Sequence, residues 1–547
     1  MRAWRGVVLG AWLAGTPAWA QPAGLVRGPY LQTGTPGSVT VAWRTAASEA
    51  SVVKYGTAPG QLTATATGAA GTDHAVTVSG LQPDRVYYYS VGTASQVRAP
   101  AGAADADLYR FRTSPLPGTR RPFRFWVVGD DGTGGTAQAK TVSSMKAFTS
   151  QPGQVPPELF LHVGDMAYNS GTDAEFTSRH FAPHWTVLRN TVLWPAMGNH
   201  EGVSSNGGTQ SGPYYQAYVL PKAAEAGGVP SGTEAYYAFD YGNVHFVVLN
   251  SHDASRSPTG AMATWLKSDL MATDAEWIVA SFHHPPYTDG THTDTETQLK
   301  EMRQNILPIL EQGGVDLVLA GHSHIYERSH LVEGIYGTPV NTAGHLLDTG
   351  GGHPDGGEYR KPAGLLPRAG TVYVVAGHGG ASLGGGAQHP VMYFSEKAYG
   401  SVLVDVDGDR LELTNLRNTG VVSDRFVLVK DLLPDGGVPL ADAGTSFDAG
   451  VHPDAGSPSD AGALADAGEE DAGSSTPADA GAAPDAGASK PGSDAGPSFH
   501  LDDAGTGFAE DAAGGCGCAE VPRGMPVLVG LAVLAAWRRR PTSPAGR

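Results

Sequence analysis

The chain has 547 residues, 36 Lys+Arg against 54 Asp+Glu, a formal net charge of −18, and two cysteines. That length exceeds one ordinary domain, and the acidity excludes nucleic acid as an electrostatic partner. With 75 Gly and 39 Pro, the composition is too rich in turn formers for a helical bundle.

Residues 1–20 read as a secretory signal. Arg2 and Arg5 form the charged start, Gly6 to Gly15 the apolar middle, and Ala18-Trp19-Ala20 the small-x-small cleavage pattern. Export is therefore expected, with a mature chain starting near Gln21. Both cysteines, Cys516 and Cys518, lie close to the C-terminus, so the folded domains are expected to stand without disulfides.

Residues 21–115 offer short β-type runs at 38–43, 51–55, 74–78, 85–91 and 108–112, separated by Gly- and Pro-containing turns. Short strands without helical period predict a small all-β sandwich. Tyr87-Tyr88-Tyr89-Ser90-Val91, preceded by Leu81-Gln82-Pro83, resembles the penultimate strand and entry turn of a fibronectin type III-like domain. No residue here suggests chemistry, and the aromatic side chains are expected in its core.

After a linker at 114–122 the texture changes to apolar strands alternating with helical stretches, which predicts an α/β domain over 122–432. The informative residues follow the strands. Phe123 to Val128 leads into Asp130-Asp131-Gly132, Leu159 to Val163 into Gly164-Asp165-Met166-Ala167-Tyr168, and Thr191 to Met197 into Gly198-Asn199-His200-Glu201. Trp277 to Phe282 leads into His283-His284-Pro285, and Val315 to Ala320 into Gly321-His322-Ser323-His324. Asp and Gly after a strand make ordinary turns when met singly. Five buried strands that each deliver ligand-type residues at their carboxyl ends, where sites form in open α/β sheets, point to a common centre.

The residue types suit two metal ions. A pair of ions roughly 3.5–4 Å apart needs a ligand shared between them, which a carboxylate provides and a neutral imidazole does not; Asp165 is the candidate. Mixed oxygen and nitrogen donors suit iron, zinc or manganese, and a tyrosine oxygen favours a hard ion such as ferric iron, a role open to Tyr168. A water or hydroxide polarised by both ions would attack a phosphate ester in line, so the expected reaction class is metal-assisted phosphoester hydrolysis.

The motifs Asp-x-Gly, Gly-Asp-x-x-Tyr, Gly-Asn-His-Glu, His-x-Pro and Gly-His-x-His, in this order, resemble the signature of calcineurin-like metallophosphoesterases. Tyr168 together with Gly321-His322-Ser323-His324-Ile325-Tyr326-Glu327-Arg328 is similar to a purple acid phosphatase, a family that commonly sets a fibronectin-like domain ahead of the catalytic one. The resemblance extends over about 25–429. It implies an all-β sandwich followed by an α/β two-sheet sandwich flanked by helices. It further implies that Asp130, Asp165, Tyr168 and His324 hold a first metal, ferric iron. Asp165, Asn199, His283 and His322 would hold a second, divalent iron, zinc or manganese.

Either imidazole of His283-His284 could be the ligand; the His-x-Pro register selects His283 and leaves His284 beside it. His200 follows the Asn ligand and would face substrate phosphate, stabilising the transition state or protonating the leaving group. His292, nine residues after His283, stands where some relatives carry a second substrate histidine. His378, in Gly377-His378-Gly379-Gly380, is expected to line the mouth of the site. His162, His180, His184, His245, His252 and His330 are read as structural or surface residues, and Asp131 as a neighbour of the ligand set or solvent-facing. The expected function is that of an exported acid phosphatase acting on phosphomonoesters through a hydroxide held by two metals. A phosphodiesterase, nucleotidase or phytase on the same scaffold is the alternative, and a non-catalytic surface binding protein a more distant one.

Residues 433–513 repeat Asp-Ala-Gly, with Asp442, Asp448, Asp454, Asp460 and Asp466 spaced six apart. Sixteen acidic residues there face Lys490 alone, a net −15, and the near absence of large apolar residues predicts a disordered, solvated linker. The tail, 514–547, holds Cys516 and Cys518, an apolar stretch from Met525 to Trp537, and Arg538-Arg539-Arg540. It resembles a MYXO-CTERM-type bacterial sorting tail, which implies processing or lipidation at Cys516 or Cys518 and engagement of envelope sorting machinery and membrane. The implied location is the cell surface or outer envelope, with release after processing the alternative. The apolar stretch is shorter than the roughly 20 residues of a spanning helix, so a processed signal and a finished anchor both stay open, as does an ordinary thiol pair.

Overall fold

The computed structural model describes residues 24–432. The expected signal at 1–20, the acidic linker at 433–513 and the tail at 514–547 with Cys516 and Cys518 lie outside the described residues. Six strands come first: β1 (Leu25–Gln32), β2 (Ser38–Gly56), β3 (Ala64–Ser79), β4 (Val86–Gly92), β5 (Val97–Ala99) and β6 (Arg110–Arg112). The runs expected at 38–43 and 51–55 are one strand, β2. Its register against β3 shifts between Arg44 and Ser51, where Ala46, Ala47, Ser48 and Ala50 have no large side chain to commit to either face. β2 pairs with β1 along its first half and with β4 along its second.

β1 escapes a period-2 reading because Gly28-Pro29 interrupts it. Pro29 falls in the register shift between Arg27 and Tyr30, as expected of a proline that cannot donate to a ladder. β1 also carries the β module into the next domain, pairing in parallel with a later strand through Leu31 and Val192. Arg27, 1% exposed, is held by Asp173 Oδ1 at 2.5 Å and Thr177 Oγ1 at 2.9 Å.

The second domain is built on two sheets. Its strands are β7 (Phe123–Val128), β8 (Leu159–His162), β9 (Val192–Pro195), β10 (Tyr237–Tyr241), β11 (Val244–Val248), β12 (Trp277–Ser281), β13 (Leu317–Ala320), β14 (Tyr326–Ser329), β15 (Leu331–Val332), β16 (Leu346–Asp348), β17 (Tyr359–Pro362), β18 (Val372–Ala376), β19 (Met392–Glu396), β20 (Gly400–Asp407), β21 (Arg410–Arg417) and β22 (Val422–Leu432). One sheet runs β17-β22-β21-β20-β7-β8-β9 and continues into β1; the other runs β10-β11-β12-β13-β18-β14-β19. β7, β8 and β9 are parallel, as are β11, β12, β13 and β18.

Aromatic rings fill the space between the sheets. Trp194 stacks on Phe239 at 3.8 Å and Phe239 on Phe246 at 4.6 Å, while Phe125 meets Phe246 edge-on at 5.3 Å. Behind the second sheet, Met262 and Leu266 of the helix Ala261–Ala272 and Leu307 and Leu310 of Leu307–Gln312 cluster with Ile278 and Val318. Both faces are therefore covered, which is why these strands read as unbroken apolar runs; each fully buried Leu, Ile or Phe contributes about 1.5–3 kcal/mol. Among the described residues no helix is long and apolar enough to cross a membrane.

His245 on β11 is a buried tie rather than a surface group. Its Nδ1 lies 2.7 Å from Asp240 Oδ1 and its Nε2 2.8 Å from Asp269 Oδ2. Burial pulls the imidazolium down, but the bonds to both carboxylates outweigh it and lift the group to about 9. A raised folded value gives stability that is complete below the unfolded value near 6.5 and lost as pH rises through about 9. His245→Gln should remove a pH-dependent component of up to about 3 kcal/mol between those limits. Urea unfolding at pH 6 and pH 9.5 checks it, and equal slopes for variant and wild type would count against it.

Candidate metal centre

The parallel strands of both sheets end on the same side, and their carboxyl ends deliver the polar residues to one place. Asp130 follows β7, Asp165 follows β8 and Asn199 follows β9; His283 follows β12, and His322 and His324 follow β13. Asp130, Asp165 and His322 adopt φ of 57°, 58° and 67°, left-handed values uncommon for side-chain-bearing residues and characteristic of sites whose surroundings hold them. Gly164, at φ 99°, must be glycine for space as well: a Cβ there would lie 2.4 Å from His283 Nδ1.

Each carboxylate is anchored through one oxygen and free through the other. Asp130 Oδ2 accepts from the His322 N–H at 2.8 Å and Asp165 Oδ1 from the His200 N–H at 3.0 Å. The free oxygens meet Tyr168, whose hydroxyl lies 3.2 Å from Asp130 Oδ1, 3.2 Å from Asp165 Oδ2 and 3.1 Å from His324 Nε2. That hydroxyl has one proton for three acceptors. Opposite, Asn199 Oδ1 is 2.9 Å from both His283 Nε2 and His322 Nδ1, and His283 Nε2 is 3.3 Å from Asp165 Oδ2.

Ring orientation is set from behind. His283 Nδ1 donates to the Val163 carbonyl at 2.8 Å and His324 Nδ1 to the Ser382 carbonyl at 3.0 Å, so in the neutral rings both Nε2 lone pairs point into the cluster. Lone pairs facing carboxylate and amide oxygens at about 3 Å repel unless a cation lies among them, and hard oxygen with imidazole nitrogen suits iron, zinc or manganese. The residues therefore fit two metal ions. Burial, then the charges of Asp130 and Asp165, push the Tyr168 hydroxyl well above its ordinary value, so only a strongly acidic ion would take it as phenolate.

His283, not His284, faces Asn199 and Asp165. The His284 Nδ1 is paired with the Ser251 hydroxyl at 2.9 Å, and its ring packs against His322 at 4.4 Å. His200 packs on Tyr168 at 4.2 Å and donates from Nδ1 to the Asn169 carbonyl at 2.6 Å, leaving Nε2 toward Asp165 Oδ2 at 3.8 Å. His292 stacks on His322 at 3.8 Å and is held by Glu296 at 3.0 Å. His378 does not line the mouth: it is fully buried, with Nε2 on Asn415 Oδ1 at 2.9 Å. The glycines around it let the chain pack directly on Asp130 and Asp131, since a Cβ on Gly379 would lie 2.5 Å from that of Asp131.

Sequence reasoning passes over Glu201. Its fully buried carboxylate accepts from the N–H groups of Gly198, Asp165, Met166 and Ala167 at 2.8–3.0 Å, tying the turn after β8 to that after β9. Burial, then the charge of Asp165, raises it to about 7, while the charge of His283 and the amides of Gly198 and Asp165 pull the other way. Glu three residues into a helix is the capping-box position, the one local hint available. Of the two places open to Asp131 from sequence, the structure gives the one beside the ligand set: the side chain is fully buried and does not face solvent.

Residues 123–326 match the calcineurin-like phosphoesterase family, and residues 28–113 match the purple acid phosphatase N-terminal domain. The chain is 31% identical over 319 residues to purple acid phosphatase 23 of Arabidopsis thaliana, covering 53% of this chain and 64% of that protein. It is 30% identical over 288 residues to purple acid phosphatase 15 of the same plant, covering 48% and 50%. The chain thus spans between half and two-thirds of the length of these relatives. The solved purple acid phosphatase PPD1 of yellow lupin (Lupinus luteus) seeds superposes with a TM-score of 0.58 at 19% identity, over 76% of this chain and 77% of that one. PhoD does so with 0.52 at 16%, over 77% and 95%; at such identity the likeness is one of fold. Residues 28–113 and 123–326 are thus similar, in that order, to a purple acid phosphatase N-terminal domain and to the calcineurin-like phosphoesterase domain.

Proposed function

We propose that this protein is an exported, metal-dependent acid phosphatase that hydrolyses phosphomonoesters. The observation that carries the reading is the convergence of Asp130, Asp165, Tyr168, Asn199, His283, His322 and His324 from five strand ends, with more acceptors than protons among them. Asp130, Tyr168 and His324 would hold a ferric ion, Asn199, His283 and His322 a divalent iron, zinc or manganese, and Asp165 both. The two ions would supply Lewis acidity toward a phosphoryl oxygen and a water acidic enough to serve as nucleophile.

The surrounding residues orient and move protons. The backbone bonds that fix Asp130 Oδ2 and Asp165 Oδ1 leave the inner oxygens no freedom to turn away, so the donor set is organised before substrate arrives. His200, anchored through Nδ1, presents Nε2 at the open side of the centre with its side chain 29% exposed. In its protonated form it can donate to a phosphoryl oxygen or to the departing alkoxide. His292, fixed on the ring of His322, offers a second donor to the same phosphate. Residues 1–20 support export, 21–115 a fibronectin-like module, 122–432 the catalytic domain, and the tail around Cys516 and Cys518 attachment to the envelope.

Purified protein should contain two transition-metal ions per chain and turn over a nitrophenyl monoester faster than the corresponding diester. Tyr168→Phe should abolish the visible absorption of a ferric–tyrosine pair. Active protein free of transition metal would overturn the mechanism, an unaltered spectrum in the variant would remove Tyr168 from the ligand set, and faster diester cleavage would make the protein a phosphodiesterase.

A further inference from the structure

Behind the metal centre, on the core side of the turn after β7, lies a second group of ionisable side chains that the proposed reaction does not use. Asp131 follows Asp130 in the chain but points the opposite way. Its Oδ1 accepts from His162 Nε2 at 3.0 Å, and its Oδ2 lies 2.9 Å from His184 Nε2, a close approach without hydrogen-bond geometry; all three side chains are 0% exposed. His162 Nδ1 accepts the Gly164 N–H at 3.2 Å, so Nε2 carries the proton given to Asp131. His184 Nδ1 donates to the His180 carbonyl at 2.9 Å, which fixes that ring.

These contacts join elements that separately deliver metal-centre residues. His162 ends β8, three residues before Asp165, so the Asp131–His162 bond couples the turn that aims Asp130 to the strand that presents Asp165. His184 lies in the helical run at 173–188, and the same run reaches the Tyr168 loop. Arg179 Nη1 donates to the Tyr168 carbonyl, and the Glu175 carboxylate accepts from the N–H groups of Asn169 at 2.6 Å and Ser170 at 3.2 Å. A carboxylate and two imidazoles are a poor choice for packing alone, since apolar residues of the same volume are commonly as stable or more so. What they add is direction, and Asp130 at φ 57° needs its turn held.

We propose that Asp131 is a positioning residue of the metal centre: bonded to His162 and set against His184, it holds the turn that aims Asp130 and its spacing from Asp165. The proposal rests on the two-metal reading above. It is tested by equilibrium dialysis of zinc into chelator-stripped full-length protein, at a temperature where every variant is folded. Asp131→Ala should weaken zinc binding by about 10–100-fold, the usual cost of losing a group that orients ligands. Asp131→Asn should bind as wild type, because the amide oxygen can still accept from His162 and the side chain keeps its shape beside His184. His245→Gln, which breaks another histidine–carboxylate cluster away from the centre, should lose stability and keep its zinc affinity.

A folded Asp131→Ala with wild-type affinity would overturn the proposal, as would an Asp131→Asn as weak as the alanine variant. If Asp131→Ala does not fold, His184→Leu takes its place, with weakened binding expected and wild-type binding the refuting result. Wild-type protein that takes up no zinc would overturn the two-metal reading itself, a different outcome from wild-type uptake that Asp131→Ala leaves unchanged.

Discussion

Asp165→Asn should lower kcat toward a phosphomonoester by more than about 10³-fold, beyond the 10–100-fold typical of residues that only orient ligands. The side chain is 1% exposed, and its two oxygens divide their work: Oδ1 is tied to the His200 N–H, while Oδ2 lies 3.2 Å from the Tyr168 hydroxyl and 3.3 Å from His283 Nε2. Among the described residues no other carboxylate pairs with a donor side chain of each half; Asp130 meets Tyr168 and His324 but reaches His322 only through its backbone N–H. An amide keeps the shape but replaces one oxygen with a donor, so it cannot be shared by two cations. Turnover and metal-to-protein ratio should fall together. Full activity in a folded Asn variant would mean that the reaction does not pass through this centre.

Glu201→Ala should be the most destabilising single change near the site, by about 3–5 kcal/mol, the range for an uncompensated buried polar cluster. It strands the N–H groups of Gly198, Asp165, Met166 and Ala167 in a region closed to water. Because these amides belong to the turns carrying Asp165 and Asn199, the loss reaches the metal centre too, and zinc uptake should weaken in whatever fraction remains folded. Glu201→Gln, with one oxygen in place of two, should cost less. Urea unfolding of both variants against wild type measures the effect; an alanine variant as stable as wild type would show that water can replace the carboxylate.

The candidate donor set was legible because each of its residues sits within a few residues of an apolar strand, and a strand end is a local feature. Asp130, Asp165, Asn199, His283 and His322 could be picked out without knowing how the strands pair, since buried parallel strands all point their carboxyl ends to one side. Other features were beyond that reading. β1 was obscured by Gly28-Pro29 and declared itself only by pairing with β2 and β9. His378 resembled the ligand histidines in its setting after an apolar run, yet the chain turns it inward to Asn415.

By itself the sequence determined the two-domain order, the strand-end motifs and the chemical type of the donors, all of which follow from short-range pattern and composition. The tertiary structure alone decided which carboxylate oxygen is free and which is tied, that Glu201 gathers four amides, and that Asp131 reaches His162 and His184. The reason is that a buried polar group must be satisfied by whatever the fold brings within about 3 Å. The histidines that Asp131 meets lie on a strand and a helix 31 and 53 residues further along the chain, a proximity that no local pattern encodes.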